Sequence, residues 1–68
     1  MPPELAVIIP VFNEEALIGQ VLNDWSNELQ DIDYEIHVYI AKSKDKTLEV
    51  VQEFSQKNKR IIAHDRPK

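Results

Sequence analysis

The sequence is short, acidic and free of cysteine. Its 68 residues are enough for one small domain, and 12 acidic against 8 basic residues give a formal net charge of −4. No basic stripe is present, which argues against nucleic acid as a partner, and without cysteine there are no disulfides or thiolate metal sites. No signal peptide or membrane-spanning apolar run is visible, so we expect a cytoplasmic protein.

The first third has the pattern of a buried strand followed by an amphipathic helix. The continuous apolar run Leu5–Ile9 is typical of a parallel strand that is buried on both faces. Residues 10–13 are expected to form a loop, with Asn13 as the N-cap of a helix over residues 14–29. The predicted apolar face of this helix is the row Leu17, Val21, Trp25 and Leu29, flanked by Ile18 and Leu22.

The middle of the chain alternates apolar and polar residues over 34–40, which predicts a strand with one apolar and one partly polar face. A loop over 41–44 follows, and Asp45 is the expected cap of a second helix that begins near Lys46. A third, short strand is predicted over residues 60–64. The apolar face of the second strand consists of Tyr34, Ile36, Val38 and Ile40, and the other face of Glu35, His37 and Tyr39.

The order of elements, β-α-β-α-β, predicts an α/β fold with a three-stranded parallel sheet, one half of a Rossmann-like domain. Right-handed crossovers that step in one direction place both helices on the same face of the sheet. The opposite face and the first strand, which lies at an edge, then lack cover. We therefore expect a partial domain over residues 1–68, or a chain that associates with a copy of itself.

Ligands of open parallel sheets bind beyond the carboxyl ends of the strands. Here those ends are residues 10–14, 40–45 and 64–68. Each candidate side chain also has a structural interpretation: Asn13 and Glu14 suit a helix start, Ser43 suits the start of the second helix, and Phe12 suits the core. The residues alone leave both interpretations open.

Two motifs in this context resemble those of a known family. The segment Pro10-Val11-Phe12-Asn13-Glu14 follows the first strand, and Tyr34-Glu35-Ile36 opens the second, which leads into Ser43, Asp45 and Thr47. This pattern is similar to the opening of the family 2 glycosyltransferases, which have the GT-A fold and use nucleotide sugars. The resemblance implies nucleotide-binding positions at Pro10, Phe12, Asn13, Glu14, Ile40 and Ser43.

The sequence departs from the family pattern at the end of the second strand. Ile40 and Ala41 stand where the family has acids, one of which usually contacts the base of the nucleotide, and Lys42 stands where it has glycine. An apolar side chain cannot accept those hydrogen bonds, and lysine restricts the loop more than glycine does. We therefore expect nucleotide-sugar binding to be weak or absent.

The groups that perform catalysis in the family lie downstream of the segment matched here. The resemblance implies Mg²⁺ or Mn²⁺ for the complete family domain, held by downstream acids, together with a downstream base. Within this chain we assign no catalytic residue and no metal ligand. The D-x-D segment Asp31-Ile32-Asp33 is expected to be a solvated turn at the opposite end of the sheet.

Two classes of function follow. The first is the amino-terminal nucleotide-sugar-binding portion of a glycosyltransferase that uses a UDP- or GDP-sugar, inactive in this form. The second is a non-catalytic small α/β module, natural or engineered, that self-associates. For both classes we expect a homodimer, formed through the first strand or through the open face of the sheet.

Overall fold

The computed structural model describes residues 2–41 and 46–65 and has the predicted α/β architecture. The three strands form one parallel sheet in the order β1-β2-β3, with β1 at an edge as expected. The Rossmann-like half-domain predicted from the sequence is confirmed. The elements are β1 (Leu5–Val11), α1 (Glu15–Glu28), β2 (Tyr34–Ile40), α2 (Thr47–Lys57) and β3 (Ile61–Asp65).

The central strand β2 determines which face of the sheet is covered. Its residues alternate strictly between buried and half-buried, as the sequence pattern predicts. The buried set packs with the helices in one hydrophobic core. That core comprises Val11, Ile18, Leu22, Leu29, Tyr34, Ile36, Val38, Ile40, Val51 and Ile61.

The predicted apolar face of α1 was wrong in part. Ile18 and Leu22 are almost fully buried, whereas Leu17 and Trp25 are 61% and 39% exposed. The reason is that α1 packs against α2 as well as against the sheet. A Cβ atom built on Gly19 would lie 3.5 Å from a ring carbon of Phe54, so the buried stripe is rotated toward α2 and away from Trp25.

The first strand has the apolar pattern of a strand buried on both faces, but among the residues described it lacks cover on the side opposite the helices, as the one-sided placement of the helices predicts. Val7 and Ile9 are half-buried on the helical side, but Leu5 is 39% exposed and Ile8, on the other side, is 59% exposed. The strand also continues through Pro10 to Val11 instead of ending at Ile9. Proline fits there because the outer edge of β1 has no hydrogen-bonding partner among residues 2–41 and 46–65.

The face opposite the helices, here called the open face, carries a mixture of apolar and polar side chains. Strand alternation and the register assign them: Ile8 lies beside His37 and Ile62, and Pro10 lies beside Tyr39 and His64. The residues assigned to the open face are Ala6, Ile8, Pro10, Glu35, His37, Tyr39, Ile62 and His64.

Among the helices that the structure describes, neither α1 nor α2 has the length and apolar character that a membrane-spanning segment requires.

Candidate functional site

The carboxyl ends of the three strands meet at one edge of the sheet. In the parallel register Val11, Ile40 and Asp65 stand side by side. The Ala41 amide donates a hydrogen bond of 2.9 Å to the Val11 carbonyl, so the pairing of β1 with β2 extends just past the end of β2. The chain leaving β1 is thereby held against the chain leaving β2.

A shallow groove of about 590 Å³ opens at this edge. Phe12 is 57% exposed and forms part of its wall. Two aromatic rings, one carboxylate and apolar surface therefore face a common space. The groove is lined by Pro10, Val11, Phe12, Glu14, Tyr39 and Ala41.

The structure brings together some of the predicted nucleotide-binding residues. Pro10, Phe12 and Glu14 share the groove, and Asn13 lies between the last two in the chain. Ile40 is different: it is only 1% exposed and belongs to the core on the helical side. Ser43 lies outside the described residues, as do Lys42 and Asp45.

Two groove residues were not predicted, Tyr39 and Ala41. Their signal was present in the sequence, because alternation along β2 turns Tyr39 away from the buried Ile40. The family has acids at the positions of Ile40 and Ala41. Of these two residues, Ala41 lies at the groove, whereas Ile40 faces the core.

Asn13 does not cap α1, contrary to prediction. The N-cap position is Glu14, and its side chain makes no capping hydrogen bond. Asn13 instead has φ of 52°, in the left-handed region where asparagine is one of the better-tolerated residues. Its role is thus to turn the chain sharply between Phe12 and α1. The N-cap position of α2 is Lys46.

The starts of the two helices are linked by two hydrogen bonds. The Glu14 amide donates to the Thr47 hydroxyl oxygen at 2.9 Å, and the Lys46 amide donates to Glu15 Oε1 at 3.3 Å. Thr47 is fully buried, so its hydroxyl connects the loop beside the groove to the core. The sequence indicates Thr47 as part of the family motif, and this polar contact was not predicted.

The D-x-D segment lies at the other end of the sheet, as predicted. The Leu5 amide, at the start of β1, donates to the Asp33 carbonyl at 3.2 Å. The Asp33 carboxylate accepts a hydrogen bond of 2.8 Å from exposed Arg60. Within residues 2–41 and 46–65, no group of three or more His, Asp or Glu side chains could hold a metal ion.

An open parallel sheet with a groove beyond the carboxyl ends of its strands is the arrangement in which α/β domains bind their ligands. The family model of glycosyl transferase family 2 matches residues 6–68, nearly the whole sequence. The chain therefore belongs to glycosyl transferase family 2, as its motifs predicted.

Curated relatives agree with this assignment. A dolichyl N-acetyl-α-D-glucosaminyl phosphate 3-β-D-2,3-diacetamido-2,3-dideoxy-β-D-glucuronosyltransferase of Methanococcus voltae is 42% identical over 55 residues. A dolichol-phosphate mannosyltransferase of Pyrococcus furiosus is 39% identical over 54 residues. A poly(ribitol-phosphate) β-glucosyltransferase of Bacillus spizizenii is 30% identical over 64 residues.

The relatives are much longer than this chain. The three alignments cover 79%, 79% and 93% of the chain but 17%, 15% and 10% of the respective relatives. No solved structure matches the chain significantly. The comparisons thus establish the family from a segment that spans less than a fifth of each relative.

Replacing Thr47 with valine tests the link between the helix starts. Valine keeps the volume but removes the acceptor, so the half-buried Glu14 amide loses this partner at a cost of about 1–1.5 kcal/mol. We expect the free energy of unfolding, measured in urea, to fall by that amount. Thr47→Ser keeps the acceptor and removes one methyl group, at about 0.8 kcal/mol. If Thr47→Val is as stable as the parent, the hydroxyl contributes nothing.

Proposed function

We propose that this chain is the nucleotide-binding part of a glycosyltransferase that takes its sugar from a UDP- or GDP-activated donor. The observation that carries the proposal is the groove at the carboxyl edge, where Pro10, Phe12 and Glu14 converge beside Ala41 in a chain of this family. The relatives' names differ in both sugar and acceptor. The proposal is therefore confined to the reaction class.

The groove suits a flat, polar base. Phe12 is exposed, and Tyr39 lines the same space, so two aromatic side chains are available. Stacking of a base on an aromatic ring contributes about 1–3 kcal/mol and depends little on which base is bound. Glu14, which is half-buried, supplies a carboxylate that can accept a hydrogen bond from the base or the ribose.

Among the residues described, the position that follows β2 offers the groove no polar side chain. Ala41 presents a methyl group there, and Ile40 is turned into the core. A hydrogen bond to the ring N–H of the base contributes about 0.5–1.5 kcal/mol, and more when a charged group takes part. We propose that the absence of this contact makes nucleotide binding weak, with stacking as its main contribution.

Ala41→Asp should restore the missing acceptor. We expect affinity for UDP or GDP to rise about 2- to 10-fold, because one hydrogen bond is gained. Calorimetric titration of the parent and the variant measures the difference. Ala41→Leu is the matched control, since it adds bulk without an acceptor and should not improve binding.

Ile40→Asp is the positional control, because it places a carboxylate in the core. We expect that variant to lose stability by several kcal/mol and to gain no affinity. Tight binding of UDP or GDP by the parent, or an equal gain in Ala41→Leu, would contradict the proposal.

The residues described contain no ready-made cluster for the metal expected for the complete domain: within residues 2–41 and 46–65, no group of three or more His, Asp or Glu side chains could hold one. Mg²⁺ bound to a substrate diphosphate takes one or two carboxylates from the protein, and the family resemblance places those acids downstream. We propose that the metal ligands and the catalytic base implied by the family come from outside these 68 residues.

The isolated chain should therefore transfer no sugar. With UDP-glucose or GDP-mannose and either Mg²⁺ or Mn²⁺, release of the nucleoside diphosphate should not exceed the blank. His64 is the histidine nearest the ligand edge, preceding Asp65 at the end of β3. Turnover above the blank that disappears in His64→Ala would show that this chain supplies a base of its own.

Self-association is a second candidate function, favoured by the exposed apolar side chains of β1. Leu5 and Ile8 are 39% and 59% exposed, and the outer edge of β1 is unpaired in the part of the chain described. An apolar edge strand offers its backbone groups to another strand. We propose that a second copy pairs with β1 antiparallel or covers the open face around Ile8.

Ile8→Lys should weaken this association. The charge lies both on the edge strand and on the open face, so it opposes either form of dimer. Sedimentation velocity at tens of micromolar should show a shift from dimer to monomer. Gln52→Lys, at an exposed position of α2, is the control and should leave the dimer intact. A folded monomeric parent at that concentration would contradict the proposal.

A further inference from the structure

We propose that the open face carries a binding site for a transition-metal ion such as Zn²⁺, Ni²⁺ or Cu²⁺, with His37 Nδ1 and His64 Nε2 as its two protein ligands. These nitrogens face each other at 2.9 Å. His37 and His64 are the two histidines of the sequence. The inference does not rest on nucleotide binding or sugar transfer, although the two sites share Tyr39, which lines the groove and stacks on His64.

The fold brings the two histidines together. In the parallel register of β2 and β3, His37 stands beside Ile62 and Tyr39 stands beside His64. Alternation places both imidazoles on the open face as diagonal neighbours. The Tyr39 ring lies 4.2 Å from the His64 ring, with 6° between the planes, and this stacking fixes the orientation of His64.

Glu35 prepares His37 as a ligand. His37 Nε2 lies 3.0 Å from Glu35 Oε1, and a carboxylate accepts hydrogen bonds, so the proton belongs on Nε2. The neutral ring then has its lone pair on Nδ1, the nitrogen that faces His64. A carboxylate behind a ligating histidine is the arrangement common in metal sites, where it fixes the tautomer and raises ligand basicity.

The distance between the nitrogens fits this interpretation. A tetrahedral ion with bonds of about 2.0–2.1 Å holds two nitrogens about 3.3 Å apart. The separation of 2.9 Å has to grow by about 0.4 Å. The two rings, whose planes differ by 17°, also have to turn so that both lone pairs point at one ion instead of along the line between the nitrogens. In the metal-free state His64 Nε2–H donates to His37 Nδ1, and binding requires that His64 carry its proton on Nδ1 instead. The ion then occupies the position between the two nitrogens that the hydrogen-bonded proton held in the metal-free state.

The kind of ion follows from the donors. Neutral imidazoles suit Zn²⁺, Ni²⁺ and Cu²⁺, whereas Mg²⁺ and Ca²⁺ prefer oxygen. Among the residues described, no third His, Asp or Glu completes the set, so water fills the other positions. The His37 side chain is 22% exposed, which gives water access. Such an open site binds reversibly and is unlike a closed structural zinc site.

Calorimetric titration of the 68-residue chain with ZnCl₂ and NiCl₂ tests the proposal. We expect one ion per chain and no binding of MgCl₂ under the same conditions. His37→Ala and His64→Ala should each lower the affinity at least 10-fold. Glu35→Gln should lower it about 10- to 100-fold through the loss of carboxylate support. Glu53→Gln, on the exposed face of α2, is the matched control and should change nothing.

A second measurement uses the unmodified chain and does not depend on the folding of a variant. Substoichiometric Cu²⁺ should broaden the NMR signals of residues around His37 and His64 before those of any other segment. Broadening that begins elsewhere would overturn the proposal. So would equal Zn²⁺ affinity in His64→Ala, or the absence of Zn²⁺ binding by the parent at millimolar metal.

Discussion

The hydrogen bond from the Glu14 amide to the buried Thr47 hydroxyl joins two helix starts that are 33 residues apart in sequence. Glu14 ends the segment that leaves β1 beside the groove, and Thr47 is the first residue of α2. Because Thr47 is fully buried, this contact ties Glu14, which lines the groove, to the core. Phe12 and Asn13, with its φ of 52°, lie in the same short segment between β1 and α1.

Local pattern was enough to predict the strands and their order. The alternation along β2 is a property of adjacent residues, and it assigned both faces correctly. Which face of α1 is buried could not be predicted in the same way. Whether Trp25 or Ile18 is buried depends on where α2 lies, and that is a tertiary relation which helical period alone does not contain.

The candidate site divides in a similar way. The motif around Phe12 and Glu14 was visible in the sequence, and both residues reach the groove. The contact of Thr47 with Glu14 and that of His64 with His37 join residues 33 and 27 positions apart. No local pattern indicates such pairs. The distinction between Ile40 and Ala41 was available from alternation, but the family resemblance had drawn attention to Ile40.

The altered end of β2 and the family membership are compatible in physical terms. The frame of the fold depends on Thr47, Asn13 and the core residues of β2, all of which this chain has. The weak nucleotide binding proposed above rests on the missing polar group at Ala41. A contact missing at the groove surface leaves the core untouched, so the fold and the proposed weak binding are compatible.

Amide hydrogen exchange at Glu14 tests the central claim most directly, because it reports on the link between the groove loop and the core. If the Thr47 hydroxyl accepts from this amide, Glu14 should exchange as slowly as the amides of α1, and Thr47→Val should abolish that protection. Exchange of the Glu14 amide at the rate of an unstructured chain in the folded parent would contradict the account.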